Sequence, residues 1–156
     1  MMRDTQAALG NGLLMGKDAP ELGDHVHGVL EEGGCYKRNS TVNTLRNLTA
    51  RARAAGAAAK AWVYQCHAYD ASDDSLAAFL AGAGDGHFFT VGGWYNGADG
   101  HWTDDFARPL GSPLGDATYN GTTWHRSFES GTNVTFTPHI SPKGQDVGGK
   151  GTVVWG

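Results

Sequence analysis

The stretch LGSPLGDATYNGTTWHRSFESGTNVTF, residues 110–136, has the composition of β-hairpins. An Asn-Gly pair at 120–121 precedes a strand-like run over 122–128, and a Ser-Gly pair at 130–131 precedes a second run over 133–136. Two such runs joined by a short Gly-containing loop are typical of antiparallel strands, because Gly adopts turn conformations that other residues avoid. We therefore predict that the chain ends in antiparallel β-structure.

The chain before residue 95 has a different pattern. Four apolar runs predict strands, at residues 12–16, 26–31, 60–66 and 87–92, and helical patterns separate the last three runs. Strands that alternate with helices of this length are typical of βαβ units and a parallel sheet. Aromatic residues inside these strands are expected in the core; they are Trp62, Tyr64, Phe88 and Phe89.

Two helices are predicted between these strands. The first follows Ser40 or Thr41, either of which can cap a helix, and ends before Gly56. The second runs from Asp73 to Ala83 after a possible Ser72 cap. In both, apolar residues recur at about 3.6 positions, in the first at Val42, Leu45, Leu48 and Ala52. The polar and aromatic stretch from 94 to 109 is expected to be a long loop.

Charge and hydropathy exclude two classes of partner. The formal net charge is −4 and no run of Lys or Arg exceeds two residues, so a nucleic-acid partner is not expected. No apolar run approaches the ~20 residues that span a bilayer, so a membrane is not expected either.

Asparagine motifs indicate an extracellular or secretory location. Asn-x-Ser/Thr occurs at Asn39, Asn47, Asn120 and Asn133, where chance predicts roughly one such motif. A Thr-rich composition and chance remain the alternative, and no signal peptide is visible in the first residues. If the chain is secreted, a disulfide between Cys35 and Cys66 is expected; otherwise both are reduced thiols.

Three segments resemble barrel-fold glycoside hydrolase-like proteins, the hypothetical glycosyl-hydrolase-like proteins. They are VHGVLEE at 26–32, SLAAFLAGAGDGHFFTVGGWY at 75–95 and ARPLGSPLGDATYNGTTWHRSFESGTNVTF at 107–136, followed by a final GTVVW. The third is the most specific. The resemblance implies an α/β fold, the C-terminal half of a TIM-type (β/α)8 barrel over residues 1–106. A small antiparallel β-appendage would follow over residues 107–156.

A half barrel also implies a partner. The resemblance leaves the first four strand–helix units of the barrel unaccounted for, and open strand edges tend to pair with another chain. A homodimer or a missing N-terminal half is therefore expected to complete the barrel.

The resemblance implies hydrolysis of a poly- or oligosaccharide by two carboxyl groups. Barrel sites lie at the carboxyl ends of strands, where the second predicted strand ends in Glu31 and Glu32. Adjacent strand residues point to opposite faces, so only one of the two can serve. We favour Glu31, because it shares with His27 and Val29 the face predicted to point into the barrel. A solvated acid pair is the alternative.

Other residues are expected to contact the sugar. His67 and Asp70 follow the third strand, and Trp94, Tyr95 and Trp102 could form a stacking platform or, alternatively, anchor a loop. The second carboxylate would come from Asp70, Asp99, Asp104, Asp105 or the missing half.

Cofactors and metals are not expected, because the Cys and His spacing matches no usual zinc site. A non-catalytic carbohydrate-binding remnant and a truncated inactive product remain as alternatives to the enzyme.

Overall fold

A computed structural model describes residues 15–17, 28–32, 38–55, 61–66, 73–91 and 104–156. Four of its strands form a parallel sheet: β1 (Met15–Lys17), β2 (Gly28–Glu32), β3 (Ala61–Cys66) and β4 (His87–Val91). Helix α1 (Arg38–Ala55) lies between β2 and β3 in the chain, and α2 (Asp73–Gly82) lies between β3 and β4. Neither helix is long and apolar enough to cross a membrane.

The C-terminal part forms a second sheet, which is antiparallel throughout. It follows a 3-10 helix (Asp104–Ala107) and contains β5 (Thr118–Tyr119), β6 (Trp124–Ser127), β7 (Asn133–Ile140) and β8 (Asp146–Val154), paired in that order. Gly121 and Gly131 adopt positive φ angles, 99° and 87°, in the turns on either side of β6. The antiparallel C-terminal structure and the four upstream strands are thus confirmed, with ends that differ by a few residues.

Helix α2 has a sheet on each side. Ala77 and Phe79 are two residues apart, which puts their side chains on opposite faces of the helix. Phe79 packs against Phe89 of β4, with 5.3 Å between ring centroids. On the other face, Ala77 lies directly beneath Gly151 of β8. One buried cluster therefore spans both sheets and both helices; it includes Val29, Val42, Leu45, Ala77, Leu80, Trp124, Val134 and Phe136.

This arrangement shows that the predicted fold class, half of a TIM-type barrel with an appendage, is wrong. In such a barrel the helices form the outer ring. Here the described part of the chain has two α-helices, and the face of α2 directed away from the parallel sheet is covered by β8. The described residues form a small mixed α/β domain with one parallel and one antiparallel sheet. The division of the chain at residue 106 stays a prediction.

The aromatic residues of β4 differ in burial. Phe89 is half-buried against Phe79, whereas Phe88 is 56% exposed. Neighbouring strand residues point to opposite faces, so Phe88 lies on the face of the parallel sheet turned away from the helices. The expectation that Phe88 belongs to the core is therefore wrong. Tyr64 and Trp62 have side chains outside the described part.

Strand β8 was not predicted from the sequence. It contains glycines in its interior, where strands usually avoid them. A Cβ at Gly149 would lie 2.5 Å from the ring of Phe136, and a Cβ at Gly151 would lie 2.5 Å from the Cβ of Ala77. These glycines let the strand backbone approach an aromatic ring and a helix more closely than any other residue would.

Polar contacts join β8 to the N-terminal turns of both helices. The backbone N–H of Ser40 donates to Asp146 Oδ2 at 2.8 Å. Helix α1 begins at Arg38, so the predicted cap at Ser40 or Thr41 is wrong. At α2, Asp74 accepts a 2.8 Å hydrogen bond from Gly151 N–H. Asp146 thus accepts from a free amide in the first turn of α1, and Asp74 is an acid in the first turn of α2, where the helix dipole favours a negative charge.

The Asp74 carboxylate is also surrounded by cations. Lys150 Nζ lies 3.1 Å and Arg38 Nη1 lies 3.5 Å from Asp74 Oδ2. Burial alone raises the pKa of Asp74, but the Gly151 hydrogen bond and the two cations outweigh burial and lower it overall. Asp74 therefore stays ionised and links α1, α2 and β8.

Arg126 makes the corresponding contact at the other end of α2. It is buried on the inner face of β6, and its guanidinium donates to the carbonyl oxygens of Leu80 and Ala83. Its Nε donates to the carbonyl of Gly115 at 3.2 Å. A cation at a helix C-terminus meets the negative end of the helix dipole, so Arg126 binds the antiparallel sheet to α2.

His87 lies beside this contact, at the amino end of β4. Its Nδ1 accepts a 2.8 Å hydrogen bond from Gly84 N–H. Burial, with a smaller effect from Arg126, lowers the pKa of His87 from 6.5 to about 4, although Asp85 acts in the opposite direction. His87 is therefore neutral at physiological pH and closes the turn between α2 and β4.

Replacing Gly151 by alanine should destabilise the fold by about 1–3 kcal/mol, because the added methyl forces β8 away from α2. Urea unfolding measures this loss. Gly115→Ala is the matched control: no atom lies within 4 Å of its Cβ position, so the change should stay within about 0.5 kcal/mol. Equal stability of the two variants would contradict the close packing of β8 on α2.

Acid should destabilise the protein partly through His87. The pKa of His87 is lower in the folded protein than in the unfolded chain. Below pH 6.5 the unfolded chain therefore binds a proton at His87 that the folded chain does not bind. Stability should fall by about 2 kcal/mol from pH 7 to pH 5 for this reason. His87→Asn keeps an acceptor for Gly84 and removes the titration, so its urea-unfolding free energy should depend less on pH. An unchanged pH dependence in His87→Asn would contradict this assignment; His139→Asn, at an exposed histidine, is the control.

Candidate active site at the carboxyl edge of the parallel sheet

The four parallel strands end at one edge of their sheet. Glu31 and Glu32 occupy the last two positions of β2. In the strand register they pair with Tyr64 and Gln65 of β3, whose next residue, Cys66, ends that strand. The carboxyl edges of parallel α/β sheets are where ligands and catalytic groups gather, so two adjacent acids at this edge form a candidate site.

The remaining residues predicted for the site lie outside the described part of the chain. These are His67, Asp70, Trp94, Tyr95 and Trp102. Asp99, His27 and Cys35 also lie outside it, so their roles and a disulfide to Cys66 stay predictions.

The predicted preference for Glu31 over Glu32 required Val29 to point away from the helices. Val29 is instead buried in one cluster with Val42 and Leu45 of α1. The strand face of Val29 is thus the helix-facing side of β2, which removes the reason for preferring Glu31. Both glutamates stay candidates for one catalytic role.

The 3-10 helix (Asp104–Ala107) lies against the same edge of the sheet, in a stretch that was predicted to be a loop. Phe106 packs edge-on against Phe89, with 5.9 Å between ring centroids, and also contacts the buried Val91 at the end of β4. This anchor brings the acids of the first turn, Asp104 and Asp105, to the carboxyl end of β4. An aromatic residue directly after two acids in a polar stretch was the sequence signal for this element.

The two acids of the 3-10 helix have different surroundings. Asp105 Oδ1 accepts a 2.8 Å hydrogen bond from Arg108 Nε, and the Arg108 guanidinium lies over the ring of Trp155, 5.3 Å from its centroid. Asp104 is exposed. Of these two acids, Asp104 is therefore the better able to meet a ligand, whereas Asp105 connects the 3-10 helix to Trp155 near the C-terminus through Arg108.

The described residues contain no group of three or more His, Cys, Asp or Glu side chains arranged to hold a metal ion.

Comparison with known proteins identifies the family. The model of the family described as hypothetical glycosyl hydrolase family 15 matches residues 1–132. The match includes the whole parallel sheet, both helices and the antiparallel sheet through β6. No curated protein matches the chain. The resemblance to glycosyl-hydrolase-like proteins is confirmed, and the chain belongs to the hypothetical glycosyl hydrolase family 15.

Proposed function

We propose that this protein is a glycoside hydrolase that cleaves a poly- or oligosaccharide at the carboxyl edge of the parallel sheet. The observation that carries the proposal is the pair of glutamates ending β2, in a chain that belongs to a glycosyl-hydrolase-like family. Family membership supports glycoside hydrolysis as the class of reaction, and the end of β2 offers carboxylates for it.

Hydrolysis of a glycosidic bond needs two carboxyl groups with different protonation. One donates a proton to the leaving oxygen, and the other activates a water molecule or attacks the anomeric carbon. Glu31 or Glu32 takes one of these roles. They do not form the pair together, because neighbouring strand residues point to opposite faces.

Asp104 is the proposed second carboxylate among the described residues. Strands β2 and β4 flank β3, so their backbones are roughly 10 Å apart at two strand spacings. An acid beside the end of β4 can thus face an acid on β2 across the end of β3. Separations of about 6.5–9.5 Å between carboxyl groups leave room for a water molecule and favour inversion at the anomeric carbon.

The sugar itself is proposed to contact the residues that follow β3 and β4 in the chain. Trp94, Tyr95 and Trp102 supply flat faces that suit the C–H faces of a pyranose ring, and His67 and Asp70 supply hydrogen-bonding groups. An extracellular or secretory location fits a polysaccharide substrate, and a homodimer or an N-terminal half that completes the site belongs to the same proposal.

Replacing the catalytic glutamate by glutamine should abolish turnover while the sugar still binds. Loss of a general acid or base typically lowers the rate by about 10²–10⁴-fold. One of Glu31→Gln and Glu32→Gln should show this loss on a panel of aryl glycosides and polysaccharides, and Asp104→Asn should show it too. Proton NMR of the first product, for its anomeric configuration, tests the inverting outcome.

Two controls make this result specific. Glu129→Gln removes an exposed acid from the β6–β7 hairpin, and Asp105→Asn removes a charge but keeps an oxygen that can accept from Arg108; both should retain turnover. Full activity in Glu31→Gln and in Glu32→Gln would contradict the proposal. Sugar binding without turnover by the unaltered chain, abolished by Trp94→Ala, would identify a carbohydrate-binding protein instead.

A further inference from the structure

The four Asn-x-Ser/Thr motifs have unequal surroundings in the folded protein. Asn39 and Asn47 lie on α1, Asn120 lies in the turn between β5 and β6, and Asn133 begins β7. We propose that Asn120 carries an N-linked oligosaccharide and that Asn39 does not. This inference requires passage through a secretory compartment and is independent of any glycosidase activity.

The side chain of Asn120 is exposed and its carbonyl end is bound to its own turn. Its Oδ1 accepts hydrogen bonds from the backbone N–H of Thr122 at 3.0 Å and of Thr123 at 2.9 Å. It also accepts one from the Thr122 hydroxyl at 3.0 Å. Thr122 is the residue whose hydroxyl makes this an acceptor motif. These hydrogen bonds hold the carboxamide of Asn120 through its oxygen, and none of them uses its nitrogen.

The nitrogen of Asn120 can accept a sugar without loss of these contacts. Nδ2 lies 3.1 Å from His125 Nε2, an exposed residue of β6. A glycosylated Nδ2 retains one hydrogen, which can still be donated to His125. The adjacent Gly121 has no atom beyond its chain neighbours within 4 Å of its Cβ position, so the turn is open on that side. A glycan fits here without rearrangement of the sheet.

Asn39 has the opposite surroundings. It is half-buried, and its Oδ1 accepts a 3.3 Å hydrogen bond from the indole Nε1 of Trp124. Trp124 is 6% exposed, and the guanidinium of Arg46 lies 4.5 Å from the centroid of its ring. The side chain of Asn39 is therefore in the interface between α1 and the antiparallel sheet. A glycan at Asn39 would have to separate these two elements.

Exposure alone does not separate the other two motifs from Asn120. Asn47 is exposed on α1, and Asn133 is exposed at the start of β7, where its Nδ2 donates to the carbonyl of Gly131 at 2.8 Å. The oligosaccharide is transferred to the chain before it has folded. Chains that carry a glycan at a position the fold must bury cannot fold, so they are lost from the folded protein. The sharp contrast is between Asn120, which the fold leaves accessible, and Asn39, which the fold requires.

The modification uses a lipid-linked oligosaccharyl pyrophosphate as donor. A bond forms between Asn120 Nδ2 and the anomeric carbon of the first sugar, and the bond from that carbon to the phosphate oxygen breaks. The lipid pyrophosphate leaves, and one Nδ2 proton passes to a base of the transferase. No oxidant or reductant takes part in the transfer.

The test is the glycan occupancy of each motif in the full chain, expressed behind a secretion leader in eukaryotic cells. Protein from the secretory lumen and the medium is digested, treated with peptide N-glycosidase in heavy-oxygen water and analysed by mass spectrometry. We expect Asn120 to be occupied in most molecules and Asn39 in none. Asn120→Gln and Thr122→Ala should each remove one glycan, whereas Thr122→Ser, which keeps the hydroxyl, should retain it.

Asn39→Gln serves as the matched control and should leave the number of glycans unchanged. An unmodified Asn120 in the unaltered chain would overturn the proposal. So would an occupied Asn39 in folded, secreted protein, identified by the same circular dichroism spectrum as the unaltered chain.

Discussion

The rest of the structure depends on the packing of α2 between the two sheets. On one face Phe79 contacts Phe89 of the parallel sheet, and on the other Ala77 contacts the backbone of β8 at Gly151. Most of this short helix is buried, and its apolar surface is covered only if both sheets are present. Burial of each large apolar side chain contributes about 1.5–3 kcal/mol, so neither sheet can leave the helix without a large loss of stability.

Polar contacts hold the antiparallel sheet to α2 at both ends of the helix. Asp74 joins the N-terminus to β8, and Arg126 joins the C-terminus to β6. The antiparallel sheet also reaches the candidate active site, because Arg108 connects Asp105 of the 3-10 helix to Trp155. The C-terminal region therefore supports both the helix layer and the element that carries Asp104. In this account the antiparallel sheet is part of the domain's core rather than an attachment to it.

Local patterns in the sequence predicted the elements well and their assembly poorly. Strands β2, β3 and β4 were predicted from their apolar runs, and β6 was predicted from the Gly-containing turns around it. These patterns were sufficient to locate the strands because they reflect local backbone preferences. Strand β8 was missed because its glycines oppose strand formation locally and are needed only where Phe136 and Ala77 approach. The cap from Asp146 and the burial of Val29 likewise arise from contacts between distant segments, which no local pattern encodes.

The candidate site was predictable in part for the same reason. Acids that end an apolar strand are visible in the sequence, so the position of Glu31 and Glu32 at the end of β2 was predictable. The role proposed for Asp104 depends on the contact between Phe106 and β4, which only the folded chain reveals. The contact of Arg126 also had a sequence signal: Arg126 alternates with Trp124 on the inner face of β6, and Phe128 follows at the same spacing, so the charge must find buried partners.

Native-state hydrogen exchange in a Phe136→Leu variant tests the central claim most directly. Phe136 is fully buried in β7, and the smaller side chain should cost about 1 kcal/mol. If α2 and the antiparallel sheet share one core, amides of α2 and of β7 should both exchange about fivefold faster. Val154→Ala, at a residue 60% exposed, should change neither. Faster exchange in β6, β7 and β8 with unchanged exchange in α2 would contradict the account and restore the antiparallel sheet to an independent appendage.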